Sequence, residues 1–419
     1  MIAIKNACDY PLSKEYETRI HSSFDKTKQV YFLNHKDKST SLTSPPPPEP
    51  GQSQFHATAM PEYKLFISQI VKAVEKVNSI TTKLEKCSIQ MKLAMSISAG
   101  TGNNKTLELT RQELETHILD STHIVLTTLG TAGSRIMEAT AKFEVVVIDE
   151  AAQSVEPATL AALQLGSSHA ILVGDPQQLP ATIFSVSGRN TKYDRSLFQR
   201  LEEAGHKVYM LNTQYRMHPA ISSFPRNIFY EGLLKDGPNV QNPLYGNPLS
   251  KEILSNFPAF KPLTILDLDS SEERGGTSLS NSSEVYLALH LYQSIEKKVK
   301  GLLTQSRVAV ITPYSQQVSL LKKVFSNALG NMYESFVEIN TVDAFQGRES
   351  NVVIYSCVRA AGCHGIGFLS DVRRMNVALT RAKHFLFVIA RCDSLIVNPY
   401  WRDFVSHARK INAVVYIPH

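Results

Sequence analysis

The spacing of apolar positions changes twice along the chain, and those changes mark out its stretches. Residues 1–60 show no sustained period. They are polar and Lys-rich and lead into Ser44-Pro45-Pro46-Pro47-Pro48-Glu49-Pro50-Gly51. Four consecutive prolines favour extended polyproline geometry and exclude helix. This stretch reads as a disordered tail and linker, with an SH3-type ligand as the alternative and protein partners as its candidate contacts. Over residues 61–122, Leu65, Ile67, Ile70, Val71, Val74 and Val77 recur at three- and four-residue spacings, with Lys and Glu between them. That is a helical period, interrupted by a Gly- and Asn-rich loop at 98–106.

From His123 the texture becomes that of alternating strands and helices. Short β-branched runs stand at 124–126, 145–148 and 171–173, each followed by a loop and a helical pattern. A second series stands at 308–311, 352–355 and 385–389. Continuous apolar runs of this length suit parallel strands buried on both faces, so the fold class is α/β. The break between two α/β halves is expected near 204–207, giving 123–205 and 206–419. Residues 236–276 are rich in Pro, Asn, Gly and Ser. They read as surface loops with no legible function.

Composition adds limits. The 419 residues are 43% hydrophobic and 20% charged, ordinary for a globular chain and long enough for two or three domains. No stretch approaches the ~18 to 20 apolar residues of a membrane helix, and residues 1–10 hold no secretory h-region. An intracellular chain is therefore expected. Cys8, Cys87, Cys357, Cys363 and Cys392 form no CxxC pair and have no histidines at zinc-ligand spacing, which suits a reducing compartment. The net charge of +6 is compatible with nucleic-acid binding, though a solvated basic surface would give the same balance.

Five motifs carry candidate chemistry. In Val145-Val146-Val147-Ile148-Asp149-Glu150-Ala151-Ala152-Gln153, a buried strand delivers two carboxylates at its C-terminal end. A magnesium nucleotide needs one carboxylate to hold the hydrated ion and one to activate water, and Asp149 and Glu150 fit those roles in that order. A strand ending in two solvated acids is the plainer alternative. In Gly174-Asp175-Pro176-Gln177-Gln178-Leu179-Pro180, Gln178 offers both donor and acceptor to a γ-phosphate or its attacking water. The third motif is Gln214-Tyr215-Arg216-Met217-His218-Pro219. In the fourth, 373–383, Arg374, Ala378 and Arg381 stand at i, i+4 and i+7, one face of a helix. Guanidinium forks suit a transferring phosphoryl, although a solvated basic helix face has the same spacing. In the fifth, Thr341 offers a hydroxyl and an amide to backbone phosphate, Gly347 allows close backbone approach, and Glu349 can accept from a ribose hydroxyl.

Together, and in this order, these motifs resemble superfamily-1B helicases of the nonsense-decay and senataxin type, over about 123–415. The resemblance implies two RecA-like parallel-sheet domains, the first incomplete, with ATP and Mg2+ in the cleft between them. It implies Asp149 as the magnesium residue, Glu150 as the activator of water and Gln178 as the γ-phosphate sensor. Tyr215 would stack on adenine, Arg216 and Arg381 would be arginine fingers, and Gly347 and Glu349 would touch phosphate and ribose. Single-stranded RNA or DNA would meet Thr127, Thr128, Pro313, Tyr314 and Thr341. A nuclear monomer is the implied setting.

One departure stands out. The family's Gly-rich phosphate loop ends Gly-Lys-Ser/Thr, and neither triplet occurs in this chain. The nearest imitation, 99–106, has Ala and Asn where both glycines belong. The first sheet is then expected to have a gap or an exposed strand edge. Two readings follow. One is an ATP-dependent nucleic-acid helicase whose sequence is truncated at the N-terminus so that the loop is missing, weakly active or inactive as it stands. The other is a non-catalytic scaffold for nucleic acid or protein.

Overall fold

The computed structural model describes residues 122–418 apart from 184, 277, 300, 304, 305 and 362–364. It also describes four short strands within the first 41 residues and isolated helical positions between 80 and 120. The Pro-rich run and Cys363-His364 lie outside the described residues, as do most of the helical segment at 61–122 and the tail apart from its strands. The chain divides into two compact units, residues 1–150 with 156–173, and residues 151–155 with 174–419.

In the first unit, β1 (Ile2–Ile4), β5 (Ile124–Leu126), β6 (Val145–Ile148) and β7 (His169–Leu172) form one sheet in the order β5-β1-β6-β7. β6 and β7 are parallel, but β1 runs antiparallel to both neighbours, so this sheet is mixed where a parallel one was expected. β2 (Tyr16–His21), β3 (Gln29–Asn34) and β4 (Thr40–Ser41) form a separate antiparallel sheet, so the stretch read as tail carries strands. Val145, Val146 and Ile148 are buried beside Phe143, which is why the run at 145–148 is continuously apolar. Helices α1 (Leu129–Ala132) and α2 (Glu156–Leu163) approach closely at Gly133, where a Cβ would lie 3.2 Å from that of Ala161. Among the described residues β7 pairs with β6 alone, and His169, Ala170 and Ile171 along it are exposed.

The second unit is built on a six-stranded sheet. Its strands are β10 (Leu263–Leu268), β13 (Val308–Thr312), β14 (Val337–Thr341), β15 (Ser350–Ser356), β16 (Ala382–Ala390) and β17 (Val414–Ile417). Their order is β14-β13-β15-β16-β10-β17, and every pairing is parallel. Successive residues feed opposite cores. Ala309, Ile311, Val353, Tyr355, Leu386 and Val388 pack with α3 (Pro219–Ile228), α6 (Val372–Leu379) and α7 (Pro399–Lys410). Val308, Val310, Val352, Ile354, Phe385 and Phe387 pack with α4 (Ser282–Val299) and α5 (Ser315–Leu329). Each buried side chain of this kind is worth about 1.5–3 kcal/mol, so both faces need apolar residues and alternation disappears. This is the topology of a RecA-like domain.

Two sequence expectations are corrected here. β10 lies inside the stretch read as surface loops. Its six residues are buried or half-buried, but flanking Pro, Asn and Ser mask so short a run. The helix expected to carry Arg381 ends at Leu379. Thr380 caps it, its hydroxyl donating to Asn376 O at 2.8 Å, and Ala382 already pairs with Ser350 of β15. Arg374 and Arg381 therefore do not share a helical face. No described helix is long and apolar enough to cross a membrane.

Candidate functional site

In the first unit, β6 ends at Ile148 and presents Asp149 and Glu150 directly after it. Asp149 is exposed, and its Oδ1 accepts the Glu150 amide at 3.0 Å. Glu150 has φ +54°, a left-handed backbone that costs a non-glycine residue of order 1–3 kcal/mol and sits mainly where structure holds a functional group. Among the described residues no cluster of three His, Cys, Asp or Glu could cage a metal. One exposed carboxylate fits a magnesium ion that keeps most of its waters and binds through phosphates. Thr128 caps α1, its Oγ accepting from Thr131 N at 3.2 Å, and Thr127 precedes it half-buried.

In the second unit the motif residues converge at the N-terminal ends of β15 and β16. Arg381 is 2% exposed. Its Nε donates to Val377 O (3.0 Å), Nη1 to Arg348 O (3.3 Å), and Nη2 to Thr380 Oγ1 (3.0 Å) and Gln178 Oε1 (3.2 Å). Gln178 is held in turn. Its Nε2 donates to Asp175 Oδ2 at 2.8 Å, and the same oxygen accepts from Tyr230 Oη at 2.6 Å. Asn376 donates to Gln177 O and to Tyr230 Oη, both at 3.0 Å. Burial, then the neighbouring Asp175, raises the Tyr230 phenol well above its ordinary value, so it stays a donor. Gly174 admits this turn because a Cβ there would stand 2.7 Å from Ala152 N.

Beside this cluster, Arg216 Nε donates to Glu349 Oε2 at 2.7 Å and Nη1 to Thr380 O at 3.2 Å, while Lys383 pairs with the other Glu349 oxygen. Burial works to raise the Glu349 pKa, but the bonds from Lys383 and Arg216 outweigh it and hold the carboxyl below its ordinary value. Glu349 is thus ionised and pairs with both cations. Tyr215 is 61% exposed. Gly347, at φ +75° with open space around its Cα, adopts a conformation that favours glycine.

Thr341 ends β14 at the opposite, C-terminal edge of the sheet, its Oγ accepting from Ala344 N at 3.2 Å. Pro313 and Tyr314, after β13, are buried. The Tyr314 ring packs against Phe368 at 5.5 Å, so nucleic acid at this turn would meet backbone and the start of α5 and not the aromatic face. Residues 342–349 run from the Thr341 edge back to the arginine edge, and Arg374 fastens them by two 3.0 Å bonds to Asp343. Sequence reasoning missed Tyr230, Asn376, Lys383 and Asp175 as site residues. Asp175, Asn376 and Lys383 lay inside quoted motifs, whereas nothing in the sequence marks Tyr230.

Two AAA-domain family models match the chain, one over residues 13–186 and the other over 193–393. The chain is 42% identical over 321 residues to a probable helicase of Dictyostelium discoideum, covering 75% of this chain and 32% of that protein. It is 34% identical over 356 residues to helicase SEN1 of Saccharomyces cerevisiae, covering 84% and 15%. It is 33% identical over 323 residues to the probable helicase senataxin of Homo sapiens, covering 73% and 12%. The chain belongs to the superfamily-1 helicases of the senataxin and nonsense-decay group. That family is one of ATP-hydrolysing helicases. The chain spans from 12% to 36% of the length of the curated relatives it matches.

Proposed function

We propose that this chain is the nucleotide- and nucleic-acid-gripping part of a senataxin-like helicase acting on RNA or RNA/DNA hybrids, and that alone it hydrolyses ATP weakly or not at all. The bond between Arg381 and Gln178 carries the reading, since it joins two motifs 203 positions apart into one buried polar cluster. Asp149 would hold a hydrated magnesium ion, Glu150 would take the proton of the attacking water, and Gln178 would orient that water and sense the γ-phosphate. Arg216 and Arg381 would neutralise charge on the transferring phosphoryl, Tyr215 would stack on adenine, and Gly347 and Glu349 would meet phosphate and ribose. Thr127, Thr128, Thr341 and the Pro313-Tyr314 turn would follow a single strand of RNA or DNA by its backbone, without sequence preference. The weak activity follows from the sequence, which offers no Gly-Lys-Ser/Thr to cradle the phosphates. The proposed setting is an intracellular, nuclear monomer, with residues 1–60 as the contact for protein partners.

The scaffold reading is favoured by that same missing triplet. Fluorescence anisotropy with labelled oligo(U) separates the two when repeated with a non-hydrolysable ATP analogue and Mg2+. The motor reading expects salt-dependent RNA binding that the analogue alters and Thr341→Ala weakens several-fold. RNA binding indifferent to nucleotide would favour the scaffold, and no RNA binding at low salt would refute the motor.

A further inference from the structure

Residues 235–246 had no function in the sequence, yet they grip the Gln214-Tyr215-Arg216 strip at each of its three positions. β8 (Thr213–Gln214) pairs in parallel with β9 (Lys235–Asp236), and Gly237 N donates to Gln214 O at 2.8 Å. The Gln214 side chain is fully engaged. Its Nε2 donates to Asp236 Oδ1 (2.6 Å) and Met217 O (2.9 Å), while Oε1 accepts the amides of Arg216 (2.9 Å) and Met217 (2.7 Å). Asp236 is fixed in turn by Ser222 Oγ at 2.6 Å and Arg226 Nη1 at 3.2 Å. Next, Tyr215 O accepts from Asn239 Nδ2 at 2.9 Å. The Tyr215 ring lies on Gly237, where a Cβ would stand 2.5 and 2.6 Å from its carbons. Last, Arg216 O accepts from the Tyr245 hydroxyl. The Tyr245 ring stands edge-on to His384 at 4.6 Å, and Gly246, at φ +86°, backs the same imidazole.

An exposed Tyr215 ring takes its direction from the backbone that carries it, and Arg216 reaches Glu349 and Thr380 from the next residue. Holding such groups within a fraction of an ångström requires locked supporting contacts. We propose that residues 236–246 are a positioning clamp, in which Asp236, Asn239 and Tyr245 set the backbone from which Tyr215 and Arg216 engage the nucleotide. The clamp rests on the reading of those two residues as nucleotide contacts.

Tyr245→Phe keeps the ring on His384 and removes only the donor. Asn239→Asp keeps the shape and replaces the donor with a carboxylate. Two readouts are taken on the full chain: hydrogen–deuterium exchange by mass spectrometry over residues 211–218, and titration with a fluorescent N-methylanthraniloyl-ATP. Unfolding followed by Trp401 fluorescence serves as the control for global stability. For both variants the clamp predicts faster exchange over 211–218 by about three- to tenfold, the worth of one lost hydrogen bond, with unchanged exchange in α7 and β13. It predicts nucleotide affinity reduced by a similar factor. Unchanged exchange over 211–218 in both variants overturns the clamp. Faster exchange with unaltered affinity, in a wild type that binds the nucleotide, overturns its positioning role. A wild type that binds no nucleotide refutes the reading of Tyr215 and Arg216, while exchange still decides whether the segment holds the strip.

Discussion

Glu284 offers a prediction that can be worked through in numbers. It lies in the first turn of α4 with no exposed surface. Its carboxylate accepts from Ser356 Oγ (2.6 Å) and twice from Val358 N (2.9 and 3.0 Å), and Gln317 Nε2 backs Ser356 at 2.9 Å. Val358 has φ +68°, a strained conformation for a β-branched residue, and its amide is directed onto the carboxylate. Burial pushes the Glu284 pKa from its ordinary 4.5 to about 8, against the pull of the Ser356 and Val358 bonds. A folded-state pKa above the unfolded one means that the folded form keeps a proton the unfolded form releases. Stability is therefore fully present below pH 4.5 and is lost as pH rises to about 8. Each pH unit is worth about 1.4 kcal/mol, so the loss totals roughly 5 kcal/mol at most. Glu284→Gln fixes the neutral form, with Oε1 still able to accept from Val358 N and Nε2 able to donate to Ser356. Trp401 is the only tryptophan in the sequence and is fully buried in the second unit, donating to Leu369 O at 2.8 Å. Its fluorescence during urea unfolding therefore reads that unit. Wild-type stability should fall between pH 5 and 8 relative to the variant, and the two curves should run parallel above about pH 8. Parallel curves across pH 5 to 8 would refute a buried, protonated Glu284.

Two further substitutions test the packing of the site. Gly174→Ala places a Cβ 2.7 Å from the backbone nitrogen of Ala152, where no side chain can yield, so a loss of about 1–3 kcal/mol is expected in the same urea assay. Arg381→Lys removes a fork whose three nitrogens satisfy Val377 O, Arg348 O, Thr380 and Gln178. A single ammonium cannot reach all four, and about 2–4 kcal/mol should be lost, seen as a lower thermal midpoint. Wild-type stability in this variant would show that the buried guanidinium is not what holds the turn at Gln178.

The second unit was legible because its strands are buried on both faces. Runs such as Val308-Ala309-Val310-Ile311 send alternate residues into two cores and so read as unbroken apolar segments. The motifs stood out in the sequence because Gly174, Gly347 and the carboxylates and arginines stand in fixed local spacing. The partners of the turn at Gln178 were not legible, because Gln177 and Gln178 are held by Asn376 and Arg381 about 200 positions away. The end of α6 was hidden too, since Thr380-Arg381-Ala382 continues a helical spacing that sheet pairing overrides. Asn239 and Tyr245 act on backbone carbonyls through single polar atoms from a Pro- and Asn-rich loop, and such contacts leave no period in the sequence.

The most direct measurement is RNA-stimulated ATP hydrolysis by the purified chain, wild type beside Glu150→Gln. With single-stranded RNA bound and no glycine-lysine loop to hold the triphosphate, phosphate release should stay close to the level without protein in both. Rapid, RNA-dependent turnover in the wild type that Glu150→Gln abolishes would contradict the weak-motor reading and show that other residues cradle the phosphates.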